Sequence, residues 1–200
     1  QGELNGITAN RSPEIYDKNH DSQSFELNTN NTMSVLKFKK DNGTEIGMIN
    51  WFSENLTSDD RTPHLISGGS KGYAQYLFGK VKGTDFTQQE TFVAAFANSD
   101  DGDAISIEPL HASHSNDNKL HTDQMFLPAE HSGKRQFEKS LELYNTAGSV
   151  MDGRLDHRHR WVDLNQYRLS NDNNLTPHSV CHSRKMSRND HGNQLSHEDI

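Results

Sequence analysis

The apolar residues of this 200-residue chain fall in short bursts separated by long polar stretches. The first thirty residues are polar and turn-rich, with Asn5-Gly6 and Ser12-Pro13 as turn signals. The texture changes at Met33. Met33 to Lys39 mixes β-branched and aromatic residues with polar ones, Asp41-Asn42-Gly43 follows, and Ile46 to Phe52 is apolar at nearly every position. Two apolar runs around an Asn-Gly turn predict a β-hairpin. The near-continuous second run predicts a central strand buried on both faces.

Residues 53 to 70 read as loop, and Gly72 to Phe78 places Tyr73, Tyr76 and Leu77 at helical spacing. A polar linker is expected over 79 to 90. Phe92 to Ala97 is a second short buried run, and it stops abruptly at the turn cluster Asn98 to Asp103. A strand running into a polar turn is a common seat for reacting side chains, because the strand holds the loop rigidly. Residues 108 to 132 carry many histidines and few large apolar residues. Arg135 to Tyr144 is the clearest helix: Phe137, Leu141 and Tyr144 lie at i, i+4 and i+7, with Glu138 and Glu142 outside and Gly148 as a stop. Trp161 to Leu164 is a further strand candidate, and from Asn171 onward the lack of core-forming residues predicts a disordered polar tail. Short buried strands with intervening helices make a mixed α/β domain.

Composition narrows the classes. Leu, Ile, Val and Phe number 39 of 200 and mean hydropathy is -0.94, near the level of roughly 20% below which disorder sets in. The net charge of -8 is too small for this length to force disorder. No apolar run is long enough to span a bilayer, and the acidic balance argues against a general nucleic-acid binder. Cys181 is the single cysteine, which excludes an internal disulfide framework and a multi-cysteine zinc site. The chain opens on Gln1 with no visible signal peptide, so a processed chain or a piece of a larger one is expected.

Several residues invite chemistry. His157-x-His159 puts two rings on one face of a strand, and His111, His114 and His121 lie close in sequence. Zinc needs three or four converging ligands, and Arg154, Arg158 and Arg160 flank the pair with positive charge, so solvated or hydrogen-bonded histidines are the expectation. Asn10, Asn30, Asn42, Asn55 and Asn174 each begin a glycosylation sequon. Gly68-Gly69-Ser70 before Lys71-Gly72 is a glycine-rich turn ahead of a helix, but the spacing is not that of a P-loop. Ser106 follows the strand-to-loop transition and has no adjacent residue that would activate it.

Eight segments in order carry a resemblance. They are Ile7-Thr-Ala-Asn-Arg-Ser-Pro13, Thr32 to Phe38, Gly47-Met-Ile-Asn-Trp-Phe52, Leu65-Ile-Ser-Gly68, Lys71-Gly-Tyr-Ala74, Phe92 to Ser99, Arg135-Gln-Phe-Glu-Lys139 and Arg158-His-Arg-Trp-Val-Asp163. From about Gly2 to Cys181 the chain resembles the neutral ceramidase family. The resemblance implies an α/β catalytic domain, here residues 1–170 as a partial domain with 171–200 as the tail. It implies zinc-assisted hydrolysis of the ceramide amide to sphingosine and fatty acid, in a secreted or membrane-surface ectoenzyme, with two His, one Glu and one Tyr on the metal.

Carried over by position, Arg11 matches the arginine that polarises the substrate carbonyl, in an intact Asn-Arg-Ser-Pro setting. After Trp51-Phe52, Asn55 stands where the family has a zinc histidine; an amide is a far poorer zinc ligand. Ile105 stands at the family's serine, and Ser106 is one residue late, which on a strand reverses its side-chain direction. By the same resemblance, the other histidine lies upstream of this chain and the Glu and Tyr lie beyond its end. No intact metal site is therefore expected, and the chain reads as a catalytically incomplete fragment or degenerate paralogue. The rival readings are an active hydrolase using displaced Ser106 with metal ligands drawn from the His-rich stretch 111–131, a non-catalytic module binding sphingolipid or an intact ceramidase, and a polar fragment that does not fold alone.

Overall fold

The computed structural model describes residues 1–19, 22–55, 66–107 and 126–161. The chain divides into two units, residues 1–149 and 150–200, and the described part of the second, 150–161, holds neither helix nor strand. The strand candidate Trp161–Leu164 begins at an exposed, non-strand Trp161 and otherwise lies outside the described residues, as do the tail from Asn171 and the histidines His111, His114 and His121.

The first unit is a four-stranded sheet with two long helices on one face. The strands are β1 (Gly2–Glu3), β3 (Thr32–Lys39), β4 (Glu45–Phe52) and β5 (Val93–Asn98), in spatial order β1-β3-β4-β5. A two-stranded ribbon joins β2 (Thr8–Asn10) to β6 (Ala104–Ser106). The helices are the single turn α1 (Pro13–Tyr16), α2 (Gly69–Lys82) and α3 (Leu127–Thr146). Among the described residues no helix is long and apolar enough to cross a membrane.

The expected hairpin forms. β3 and β4 pair antiparallel, with Leu36 opposite Ile49. Gly43 takes the left-handed φ of 84° that the turn needs, and Asn42 Oδ1 accepts the Thr44 N–H at 3.0 Å. β5 then joins β4 in parallel, a pairing that requires a crossover, and α2 supplies it. Among the described residues the strand candidate Phe92–Ala97 is therefore a sheet edge, and β4 is central as expected.

The helices run longer than the periodicity predicted. α2 continues through Lys82, so 79–82 belong to it rather than to the linker. It stops where Gly83 enters the left-handed region at φ 66° and Thr84 N–H reaches back to Gly79 O at 2.9 Å, while Lys80 and Lys82 complement the helix dipole in its last turn. α3 begins eight residues before Arg135, at Leu127, and ends at Thr146, short of Gly148. Its first half buries Ala129, Ser132 and Gly133, small residues that a search for large apolar residues passes over. A Cβ on Gly133 would collide with the Ser70 carbonyl oxygen, so glycine sets how closely the two helices approach.

The core lies between the helices and the inner face of the sheet. Phe78 of α2 is its centre, packing against Phe92, Phe96, Phe137 and Tyr144 with ring centroids 5.4 to 6.2 Å apart. Met48 and Ala94 line the sheet beneath it, and Leu4, Ile7, Met33 and Phe52 form a second cluster toward β1. Burial of β4 is one-sided: Met48, Asn50 and Phe52 are buried on the inner face, whereas Ile49 and Trp51 on the outer face stay half-exposed.

Candidate functional site

The ribbon β2–β6 gathers the positions picked out from the sequence. In β2, Ala9 is opposite Ile105 and Thr8 is opposite Ser106. Ser106 therefore sits within a strand, not after one, and adjacent residues of a strand project to opposite faces. The ribbon is extended at both ends by backbone hydrogen bonds: Ile107 N–H to Ile7 O at 3.0 Å and Arg11 N–H to Asp103 O at 2.8 Å. The Asn55 N–H donates to Ala104 O at 2.8 Å. Arg11, Asn55 and Ile105 thus meet on one platform although 94 residues separate the first from the last.

Local chemistry explains how Arg11 is presented. Asn10 closes β2 by turning its side-chain oxygen onto the Ser12 N–H at 2.8 Å, and Pro13 then opens α1, where a missing N–H costs nothing. Arg11 is left exposed at the bend between them, with no ion pair among the described residues. Asn55 is held half-buried where the chain leaves β4. The end of β4 is fixed from both sides: Ser99 N–H donates to Phe52 O at 3.3 Å, and Ser53 Oγ donates to the Asp100 carboxylate at 3.1 Å. Asn30 Nδ2 adds 2.9 and 3.1 Å bonds to that carboxylate. Ser99, followed by Asn30 and Ser53, holds the Asp100 carboxyl below its ordinary pKa.

Beneath Asn55 lies a buried polar cluster that the sequence reading missed. Glu54 is fully buried and accepts from Ser70 Oγ at 2.9 Å, Ser132 Oγ at 2.6 Å and Gln136 Nε2. Lys71, also buried, donates to Phe52 O at 3.0 Å and to Gln136 Oε1 at 3.3 Å. Burial pushes the Lys71 ammonium down to about 8, against the opposing pull of the Glu54 and Asp101 carboxylates. The cluster ties the exit of β4 to the first turn of α2 and to α3. The glycine-rich turn at 68–70 is consequently the start of a helix whose first turn faces a carboxylate of the chain itself. A signal was available: Met48, Asn50, Phe52 and Glu54 share one parity, so Glu54 extends the core-facing row.

Among the described residues no three His, Cys, Asp or Glu side chains converge as a metal would need. His157 and His159 are exposed, the latter edge-on to Trp161 at 5.1 Å, and His131 lies in α3. Glu54 is committed to hydroxyl and amide donors beside an ammonium, the wrong surroundings for a cation. The described residues do not build a zinc site. Of the sequons, Asn10 and Asn30 commit their side-chain nitrogens to Asn28 O and Asp100, whereas Asn42 is exposed at the hairpin tip.

Residues 1–185 match the N-terminal part of the neutral/alkaline non-lysosomal ceramidases. The chain belongs to that family. It is 34% identical to neutral ceramidase B of Dictyostelium discoideum over 185 residues, covering 82% of this chain and 26% of that protein. It is also 34% identical to the neutral ceramidase of Pseudomonas aeruginosa, covering 82% of this chain and 23% of that one. The crystal structure of the Pseudomonas neutral ceramidase superposes with a TM-score of 0.65 at 35% identity, over 82% of this chain and 24% of that chain. The chain thus spans about a quarter of the length of the curated relatives it matches. The mixed sheet with flanking helices is accordingly the α/β part of a larger ceramidase domain.

Proposed function

We propose that this chain is the arginine-bearing portion of a neutral ceramidase catalytic domain, directed at the ceramide amide at a membrane surface outside the cell, and that it does not complete the hydrolysis by itself. The convergence on the β2–β6 platform carries the reading: Arg11, Asn55 and Ile105 are drawn together by backbone bonds to Asp103 and Ala104 and by the pairing of Ile105 with Ala9. An exposed guanidinium there can donate to an amide carbonyl and stabilise negative charge that develops on its oxygen. The two neighbouring positions carry an amide and a hydrocarbon, which supply neither a good zinc ligand nor a hydroxyl. Zinc chemistry needs ligands beyond the described residues.

Turnover of a fluorescent short-chain ceramide by the purified chain, with zinc and then with a chelator, tests this. No turnover above background is expected. Chelator-sensitive hydrolysis by the 200-residue chain would overturn the incomplete-site reading.

A further inference from the structure

We propose that Asn42, at the tip of the β3–β4 hairpin, is an N-glycosylation site and carries an oligosaccharide on its side-chain nitrogen. The inference rests on the extracellular part of the proposed function, because an Asn-x-Ser/Thr acceptor is used in secreted chains. Asn42-Gly43-Thr44 has that pattern, and all three residues are exposed. The two ends of the Asn42 amide are employed differently. Its Oδ1 accepts the Thr44 N–H at 3.0 Å, whereas its Nδ2 makes no hydrogen bond among the described residues, and neither does the Thr44 hydroxyl. The turn itself is closed by main-chain bonds, Lys40 N–H to Thr44 O and Gly43 N–H to Lys40 O, both at 2.8 Å. It therefore does not need the amide proton that glycosylation removes.

The donor is an oligosaccharide linked to a lipid pyrophosphate. Asn42 Nδ2 attacks the anomeric carbon: the new N–C bond forms, the C–O bond to the pyrophosphate breaks, the lipid pyrophosphate departs with the bonding electrons, and one amide proton passes to a base of the transferring enzyme. Oδ1 is untouched, so its bond to the Thr44 N–H survives. The other described sequons are engaged. Asn10 accepts the Ser12 N–H at 2.8 Å and donates to Asn28 O at 3.3 Å. Asn30 accepts the Thr32 N–H at 2.9 Å and donates to both oxygens of Asp100. Asn55 is half-buried, with its N–H fastened to Ala104 O. A sugar on Asn10 or Asn30 would disturb a bond that shapes the chain, and one on Asn55 would crowd the platform; on Asn42 it displaces nothing. Asn174 lies outside the described residues. The hairpin tip also precedes β4, whereas the platform lies past its far end. The eight residues of β4 put more than roughly 20 Å between the two, so the glycan is rooted away from the Arg11 guanidinium.

The test expresses the full 200-residue chain behind a cleavable secretory leader in eukaryotic cells and maps glycopeptides by mass spectrometry on the soluble protein of lumen and medium. Asn42 is expected to be occupied in most molecules, at least about fivefold more often than Asn10 or Asn30. Asn42→Gln is expected to remove one glycan from the intact mass. Thr44→Ala is expected to do the same while keeping the N–H at position 44, and with it the turn. A peptide N-glycosidase is expected to release the Asn42 sugar from the folded protein without prior denaturation. An empty Asn42 would overturn the proposal. So would an Asn42 glycan that survives Thr44→Ala, release only after unfolding, or equal occupancy of Asn10 or Asn30. Because the leader imposes the lumen, an empty Asn42 counts against this site alone; the native chain traced to the cytosol of its own cells would instead overturn the extracellular reading and the site with it.

Discussion

Strand β4 has a carboxylate at each end, and the two are solvated differently. Glu45, its first residue, sits between Lys37 at 2.6 Å and Lys82 at 2.8 Å with about a third of its side chain in water. Both ammoniums also lie over the Tyr144 ring, 4.0 and 4.2 Å from its centroid. The lysines hold the Glu45 carboxyl down at about 2, whereas burial, then the facing Glu45, raises the Tyr144 hydroxyl above its ordinary pKa. Glu54, two residues past the other end, has no water at all and is held by three neutral donors beside buried Lys71. The first arrangement is electrostatic and rests on charges that solvent screens. The second is a fully enclosed network, in which removing one member strands the others.

The largest effect is therefore expected at the buried end. Glu54→Ala leaves Ser70 and Ser132 without their acceptor, takes one acceptor from Gln136 and removes the carboxylate that faces the buried Lys71 ammonium, and is expected to cost about 3–5 kcal/mol, read as a shift of the urea midpoint by circular dichroism. A loss below about 1 kcal/mol would mean that the cluster readily takes in water, and would erase the contrast. Glu45→Gln is expected to cost about 1–2 kcal/mol at neutral pH, after discounting for solvent screening. Its pH dependence sharpens the comparison. Because the folded pKa is depressed, the stabilisation is complete above the ordinary carboxylate value of 4.5 and is lost as pH falls toward about 2. Wild type and Glu45→Gln should accordingly converge in stability across that window; a gap that persists at its acid end would deny the ionic origin. The smallest effect belongs to a pair that is solvent-exposed on both sides. Lys40 and Glu90 meet at 3.0 Å with 49% and 85% of their side chains exposed, and Lys40→Ala is expected to stay within about 0.5 kcal/mol.

How far the sequence could be read follows the range of the interactions involved. The hairpin was legible because Asn42-Gly43 and the flanking apolar runs are local signals. The second half of α3 was legible because Phe137, Leu141 and Tyr144 are large. Its first half was not, since Ala129, Ser132 and Gly133 are buried although small. The two residues of β1 and the three each of β2 and β6 carry no periodicity, and their partners lie tens of residues away. Resemblance located Arg11, Asn55 and Ile105; only the tertiary fold shows that they adjoin. Glu54 escaped notice because a charged residue just beyond a strand ordinarily marks its exit to solvent.

The bonds that assemble the platform are made by main-chain atoms: Asn55 through its N–H, Ala104 and Asp103 through their carbonyls, and Arg11 through its N–H. Such fastenings are blind to the side chains they carry. The side chains at positions 55 and 105 can accordingly be exchanged one substitution at a time while the frame between them persists.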